Sequence, residues 1–297
     1  MIAVVGDIML DKYVYGSSTR RSPECITAPV VKEYSTETFI GGAGNTALNI
    51  KNLGSNTTLF CALSKSSVLK HLLSKENLSY YSVPNYSNDV VKTRIYSNGE
   101  YLARIDYDHV IDCSEQSILE VVFTNKPSLL VISDYDKGTI EKPVNFINRA
   151  NELGIKCLVD PKKSLDAYKG AYLLKPNLKE FCEWADIPMS VQQIESLNKL
   201  SPSLLKEAVQ TLEVDNLLIT LGANGSILVS NSGTINKIDA LNVNVVDVTG
   251  AGDSFIAAMA VAINDKNTLT KATHFATKIA GIAVTKKGTS YVKRNEI

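Results

Sequence analysis

No uninterrupted apolar run in this 297-residue sequence reaches the ~20 residues that a membrane-crossing helix requires. The start, Met1 to Leu10, has no basic leader and holds Asp7 inside an apolar stretch, so it reads as a buried strand opening into an acidic loop. An excess of charge of either sign is also missing. The 31 Lys and Arg offset 31 Asp and Glu, which removes the electrostatic footing for a nucleic-acid or membrane partner. Cysteine is sparse. Cys25, Cys61, Cys113, Cys157 and Cys182 are odd in number, scattered and without a Cys-x-x-Cys pair, so neither a disulfide framework nor a structural zinc is expected, and a reducing cytoplasm fits. His71, His109 and His274 lie too far apart in sequence to suggest a histidine metal cluster. Two nucleotide signatures are absent as well. There is no Gly-x-x-x-x-Gly-Lys-Ser/Thr loop, and no Gly-x-Gly-x-x-Gly follows the first strand, which argues against Walker-type phosphate binding and a dinucleotide oxidoreductase.

What is present suffices for one large core with a small appendage, since 44% of residues are hydrophobic. Ile2 to Gly6 reads as a strand, with short strands expected at Val14–Tyr15 and Pro29 to Tyr34. Gly41, Gly42 and Gly44 lead into a helical stripe (Ala47, Leu48, Ile50, Leu53) that Gly54 stops. Val90 to Tyr96 and Tyr101 to Tyr107 flank Asn98-Gly99, a hairpin signal. From about Ser114 helices and strands alternate. Leu129 to Ile132 and Ile155 to Val159 are continuous apolar runs of the kind buried in a parallel sheet, with further strands at Ala171 to Leu174 and Asp215 to Thr220. Ile227 to Ser230 and Thr234 to Ile238 suggest a late hairpin, and helices over Ala251 to Ile263 and Leu269 to Val284 close the chain. This alternation predicts a layered α/β fold with its ligand at the carboxyl ends of the strands.

The most informative segment is Asp247-Val248-Thr249-Gly250-Ala251-Gly252-Asp253-Ser254. Small residues let the backbone close around a ligand, and the amides opening the next helix can hold an anion without lysine. Asp253 at that position suits an ordinary helix cap. It also suits a general base, because a carboxylate beside an anion cradle can take a proton from an alcohol as that alcohol attacks a phosphoryl group.

With Gly41-Gly42-Ala43-Gly44-Asn45-Thr46-Ala47 upstream, this segment resembles the two signatures of the ribokinase-like, or PfkB, carbohydrate kinase family, and the resemblance runs over nearly the whole chain. It implies a ribokinase-like layered α/β domain over 1–297, with a central, mostly parallel sheet and a discontinuous β lid near 12–38 and 88–107. It implies ATP and Mg2+ as cofactors, Asp253 as catalytic base, and Gly250, Ala251 and Gly252 as the anion hole. Sugar contacts would fall on Asp11, Gly42 and Asn45. A homodimer through the lid is a further implication.

A closer resemblance within the family is to kinases of D-glycero-D-manno-heptose 7-phosphate. It rests on Gly6-Asp7-Ile-Met-Leu-Asp11, Ser22-Pro23-Glu24, Arg104-Ile105-Asp106, Ser133-Asp134-Tyr135-Asp136-Lys137-Gly138, Asp160-Pro161-Lys162 and Gly288-Thr289-Ser290. Those kinases phosphorylate the anomeric hydroxyl, giving heptose 1,7-bisphosphate for ADP-heptose or related pathways. Bifunctional members carry a later nucleotidyltransferase domain, so activation of a sugar 1-phosphate is expected from a separate protein. The sequence departs from the patterns at Ser64, Lys65-Ser66-Ser67, Cys25 to Ala28 and Thr277.

Among the basic residues Arg20, Arg21, Lys92, Arg94 and Arg104, the closer resemblance favours Arg104 as a lid contact to a phosphorylated sugar; each alone also fits a surface charge. Asn177 and Glu180 have capping-box spacing. By resemblance Asn177 would serve nucleotide phosphates and Glu180 a magnesium ion, through water. Lys162, Thr220, Gly222 and Gly225 would line the nucleotide groove. The competing readings are a kinase for another sugar or sugar phosphate, and a non-catalytic sugar- or nucleotide-binding regulator.

Overall fold

The structure is a computed structural model that describes residues 1–188, 200–289 and 291–297; Ser290 of the terminal motif lies outside the described residues. The elements run β1 (Ile2–Gly6), β2 (Ile8–Arg21), β3 (Pro29–Gly42), α1 (Ala43–Asn52), β4 (Thr57–Ser64), α2 (Leu69–Lys75), β5 (Tyr80–Asn85), β6 (Val90–Ser97), β7 (Glu100–Tyr107), α3 (Glu115–Thr124), β8 (Leu129–Ser133), α4 (Pro143–Glu152), β9 (Lys156–Asp160), β10 (Leu173–Leu174), α5 (Leu178–Trp184), α6 (Pro202–Thr211), β11 (Asn216–Thr220), β12 (Ser226–Ser230), β13 (Ile235–Ile238), α7 (Ala251–Asn264) and α8 (Leu269–Ala283). The α/β class read from the sequence is the one observed.

Nine strands form one sheet in the order β13-β12-β11-β10-β9-β8-β1-β4-β5. It is parallel from β11 to β5, and β12 and β13 add antiparallel at one edge. Both faces are covered, so its central strands are apolar throughout rather than alternating. Val4, Leu59 and Val131 face a core shared with α1, α7 and α8, whereas Val5, Phe60 and Ile132 face one built with α3, α4 and α6. Every residue of α7 from Asp253 to Ile263 is buried. A helix enclosed on all sides is held in place by packing, and its first turn shares that rigidity.

Four further strands form a second sheet in the order β3-β2-β6-β7. The short strands expected at Val14–Tyr15 and Pro29 to Tyr34 are parts of two 14-residue strands paired antiparallel over nearly their whole length. Asn98 and Gly99 join β6 to β7 with φ of 54° and 86°, as a two-residue hairpin of left-handed residues requires. Period-two alternation puts Asp11 and Tyr13 of β2, Lys92 and Arg94 of β6, and Arg104 and Asp106 of β7 on one face, because they pair in register across the three strands.

Among the described residues no helix is long and apolar enough to cross a membrane.

Candidate active site

Parallel strands end at one edge of the large sheet, and several charged residues gather there. Asp7 follows β1, Asp134 and Tyr135 follow β8, Asp160 closes β9 and Lys175 follows β10. The first turns of α1 and α7 meet them.

Asp253, the third residue of α7, is 3% exposed. Its Oδ2 accepts from Asn45 Nδ2 at 2.8 Å; its Oδ1 accepts from the Tyr135 hydroxyl at 2.6 Å and the Thr46 hydroxyl at 3.4 Å. All three donors are neutral. Burial pushes the Asp253 carboxyl up to about 7, against the opposing pull of the Tyr135 and Asn45 hydrogen bonds. A carboxylate that exchanges its proton near neutrality is matched to accepting one from an alcohol.

The glycines around it have steric reasons. Gly250 caps α7 in the left-handed region at φ 78°, and a Cβ there would sit 2.7 Å from the Asn45 amide nitrogen that holds Asp253. Ala251 and Gly252 form the first helical turn, where amides have no intrahelical acceptor. A Cβ on Gly252 would lie 3.6 Å from Asp160 Oδ2 and 3.7 Å from Lys175 Nζ. Lys175 is itself buried and pairs with Asp160 at 2.9 Å. The helix start brings positive partial charge beside Asp253, and Lys175 brings a positive charge that its ion pair with Asp160 offsets.

Asp11, on β2, is a second buried acid. Arg94 donates to its Oδ1 at 2.6 Å, and Thr289 donates to its Oδ2 at 3.2 Å. Gly41 lacks a side chain where a Cβ would overlap the Asp11 carboxylate, and Gly42 opens α1 beside it. Asp7, in contrast, turns inward. Its two oxygens accept from the amides of Tyr135, Lys137 and Thr139 at 2.9–3.0 Å, so it clamps the loop after β8.

Arg104 lies outside this cluster. It shares a face with Arg94, one strand further out, but its guanidinium is half-exposed and pairs with Asp106 of its own strand at 2.8 Å. Arg94 is the arginine of the second sheet that reaches Asp11.

After β10, Asn177 and Glu180 form a reciprocal capping box, both bonds at 2.9 Å. One Glu180 oxygen is engaged by the Asn177 amide, and the other lies 3.8 Å from Lys162 Nζ. Burial pushes the Glu180 carboxyl up, and the nearby Asp160 charge adds to that. Thr220 ends β11 and bridges to Asn177; Gly222 begins the tight turn that follows, and a Cβ on Gly225 would overlap the Ile238 carbonyl. Among the described residues no three His, Cys, Asp or Glu side chains converge to hold a metal. A single carboxylate oxygen fits magnesium, a hard cation that keeps waters and binds phosphate oxygens rather than a protein cage.

Tyr135, Lys175, Asp160, Thr46 and Thr289 were assigned no role from sequence. Tyr135 did stand inside the Ser133–Gly138 motif, and Lys175 directly before Pro176, but only the fold brings them to Asp253 and Gly252.

A buried carboxylate beside a helix start and a lysine is an arrangement compatible with phosphoryl transfer to an alcohol. Residues 1–295 match the pfkB family of carbohydrate kinases, and the chain belongs to that family, the ATP-dependent sugar kinases. It is similar to the bifunctional protein HldE of Shewanella sp. (strain ANA-3), 35% identical over 306 residues that cover 100% of this chain and 62% of that protein. HldE of Proteus mirabilis (strain HI4320) is 34% identical over 309 residues, with the same shares covered. The chain therefore spans 62% of the length of these curated relatives. Among solved structures, phosphofructokinase-2 from Escherichia coli with fructose-6-phosphate superposes with a TM-score of 0.80 at 20% identity, covering 100% of this chain and 96% of that one. Ribokinase from Thermotoga maritima gives 0.76 at 19% identity, covering 100% and 97%.

Proposed function

We propose that the chain transfers the γ-phosphoryl group of ATP to the anomeric hydroxyl of D-glycero-D-manno-heptose 7-phosphate, giving heptose 1,7-bisphosphate and ADP. The observation that carries the chemistry is Asp253, buried at the start of α7 and held only by neutral donors. The choice of sugar rests on the closer motif resemblance and on the matches to HldE proteins over the full length of this chain.

In this reading the sugar lies between Asp11, Gly42 and Asn45, and ATP lies along Lys162, Asn177, Thr220, Gly222 and Gly225. Asp253 takes the proton of the attacking hydroxyl. The new bond forms between that oxygen and the γ-phosphorus as the bond from phosphorus to the β,γ-bridging oxygen breaks and ADP leaves. The amides of the Gly250–Gly252 turn and the Lys175 ammonium offset charge on the phosphoryl oxygens in flight. Magnesium, held through water by Glu180, would supply further charge neutralisation on the ATP phosphates.

The second sheet acts as the lid, closing over the sugar and keeping out water that would hydrolyse ATP. Lys92, Arg94 and Arg104 share the face that carries Asp11, which supports a substrate with its own phosphate, met by Arg104 at the rim. The same sheet ends at β7, an edge strand that exposes Tyr101, Leu102, Ile105 and Tyr107. We propose it as the homodimer contact; sedimentation of the chain and of Ile105→Asp should give a dimer and a monomer, and two identical masses would contradict the assignment.

A coupled assay of ATP consumption across heptose 7-phosphate, fructose 6-phosphate and ribose tests the substrate. The heptose phosphate should turn over most efficiently. Preference for another sugar would replace it within the class, and ADP release with none of a wider panel would favour a binding protein.

A further inference from the structure

The Tyr135 hydroxyl donates to Asp253 at 2.6 Å. We propose that Tyr135 is a positioning residue for phosphoryl transfer, its phenol fixing one oxygen of the Asp253 carboxylate so that the carboxylate stays aimed at, and available to, the sugar alcohol. The proposal rests on Asp253 being the base. The 2.6 Å contact has the length of a hydrogen bond to a charged acceptor. It spans 118 residues of sequence, so it depends on the loop after β8 being rigid.

That loop is pinned from both sides of Tyr135. Asp7 accepts from the amides of Tyr135, Lys137 and Thr139. Asp134 accepts from the Tyr168 hydroxyl at 2.8 Å, from the Asp136 amide at 2.7 Å and from Lys163. Asp7 thus fixes the backbone of Tyr135 itself, and Asp134 fixes that of the next residue.

The choice of a phenol has a chemical reason. Asp253 is faced by Asn45 and Thr46 from α1, by Tyr135 after β8, by Asp160 at the end of β9 and by Lys175 after β10. Asp160 disfavours a second negative charge, and burial acts in the same direction. A donor is needed to keep the carboxylate available, yet a cation in direct contact would hold it as an ion pair. A neutral hydroxyl does the first without the second. Burial drives the Tyr135 phenol well above its ordinary range, so it remains a donor and is not itself the proton acceptor.

Tyr135→Phe removes one oxygen and tests this. The acid limb of the kcat profile should move up by about one to two pH units, the size expected for loss of a hydrogen bond to a charged group, with KM for ATP and sugar changed less than about twofold. An unmoved limb overturns the proposal. Carbon-13 titration of Asp253 should shift upward to match, and this readout needs no turnover: a kinase inactive on every sugar would refute the functional reading while the titration still decided Tyr135. Should the Phe variant not fold, 3-fluorotyrosine at position 135, a more acidic and stronger donor, should shift the titration down; no shift overturns the assignment.

Discussion

Asp253 and Asp11 are equally buried and have opposite partners. Asp253 meets an amide and two hydroxyls; Asp11 meets a guanidinium and one hydroxyl. The first carboxylate has no opposite charge in direct contact, so it gains by taking a proton. The second has its charge matched by Arg94, so it suits accepting hydrogen bonds from hydroxyls that keep their protons. In the proposed reaction the two sheets divide the labour: the reactive acid stands on α7 at the edge of the large one, and the small one presents a charge-balanced face to the substrate.

Stability against pH should separate the two acids most. Folding raises Asp253 from the usual 3.8 to about 7, so between those values the native state holds a proton that the unfolded chain releases. The native state is therefore favoured below about pH 4 and loses that advantage as pH rises through 7, about 4 kcal/mol in all. Asp253→Asn has no such proton. Its denaturation midpoint should gain on the wild type as pH rises from 4 to 8, and parallel curves would contradict the contrast.

Removing the partner of the other acid comes next. Arg94→Ala leaves Asp11 buried with only the Thr289 hydroxyl and should cost about 3 kcal/mol in urea denaturation. Arg104→Ala, which breaks a half-exposed pair, should cost under about 1 kcal/mol while still raising KM for a phosphorylated sugar. Equal costs would erase the distinction between the two arginines.

Features set by local chemistry were legible before the fold was known. Asn98-Gly99 marked its hairpin, the apolar runs marked β1, β8 and β9, and the helix after Gly250 began where its small residues placed it. Features set by pairing were not. β2 and β3 extend through polar stretches such as Ser17 to Arg21 because each supplies the other's backbone partners, which no single-strand pattern reveals. β5 went unassigned because Pro84 interrupts it, a residue tolerated there at the sheet edge. Within the candidate site, the glycine-rich turn and its acid stood out in one segment. The Arg94 contact to Asp11 and the Tyr135 contact to Asp253 join residues 83 and 118 apart, and burial, which decides what those contacts do, has no signature in either segment.

In the proposed reaction Asp253 draws the proton from the sugar alcohol. Single-turnover phosphoryl transfer by Asp253→Asn, with ATP and sugar phosphate saturating, tests it most directly. Transfer should fall about a thousandfold while both substrates bind within a few-fold of wild type. Transfer at the wild-type rate would contradict it.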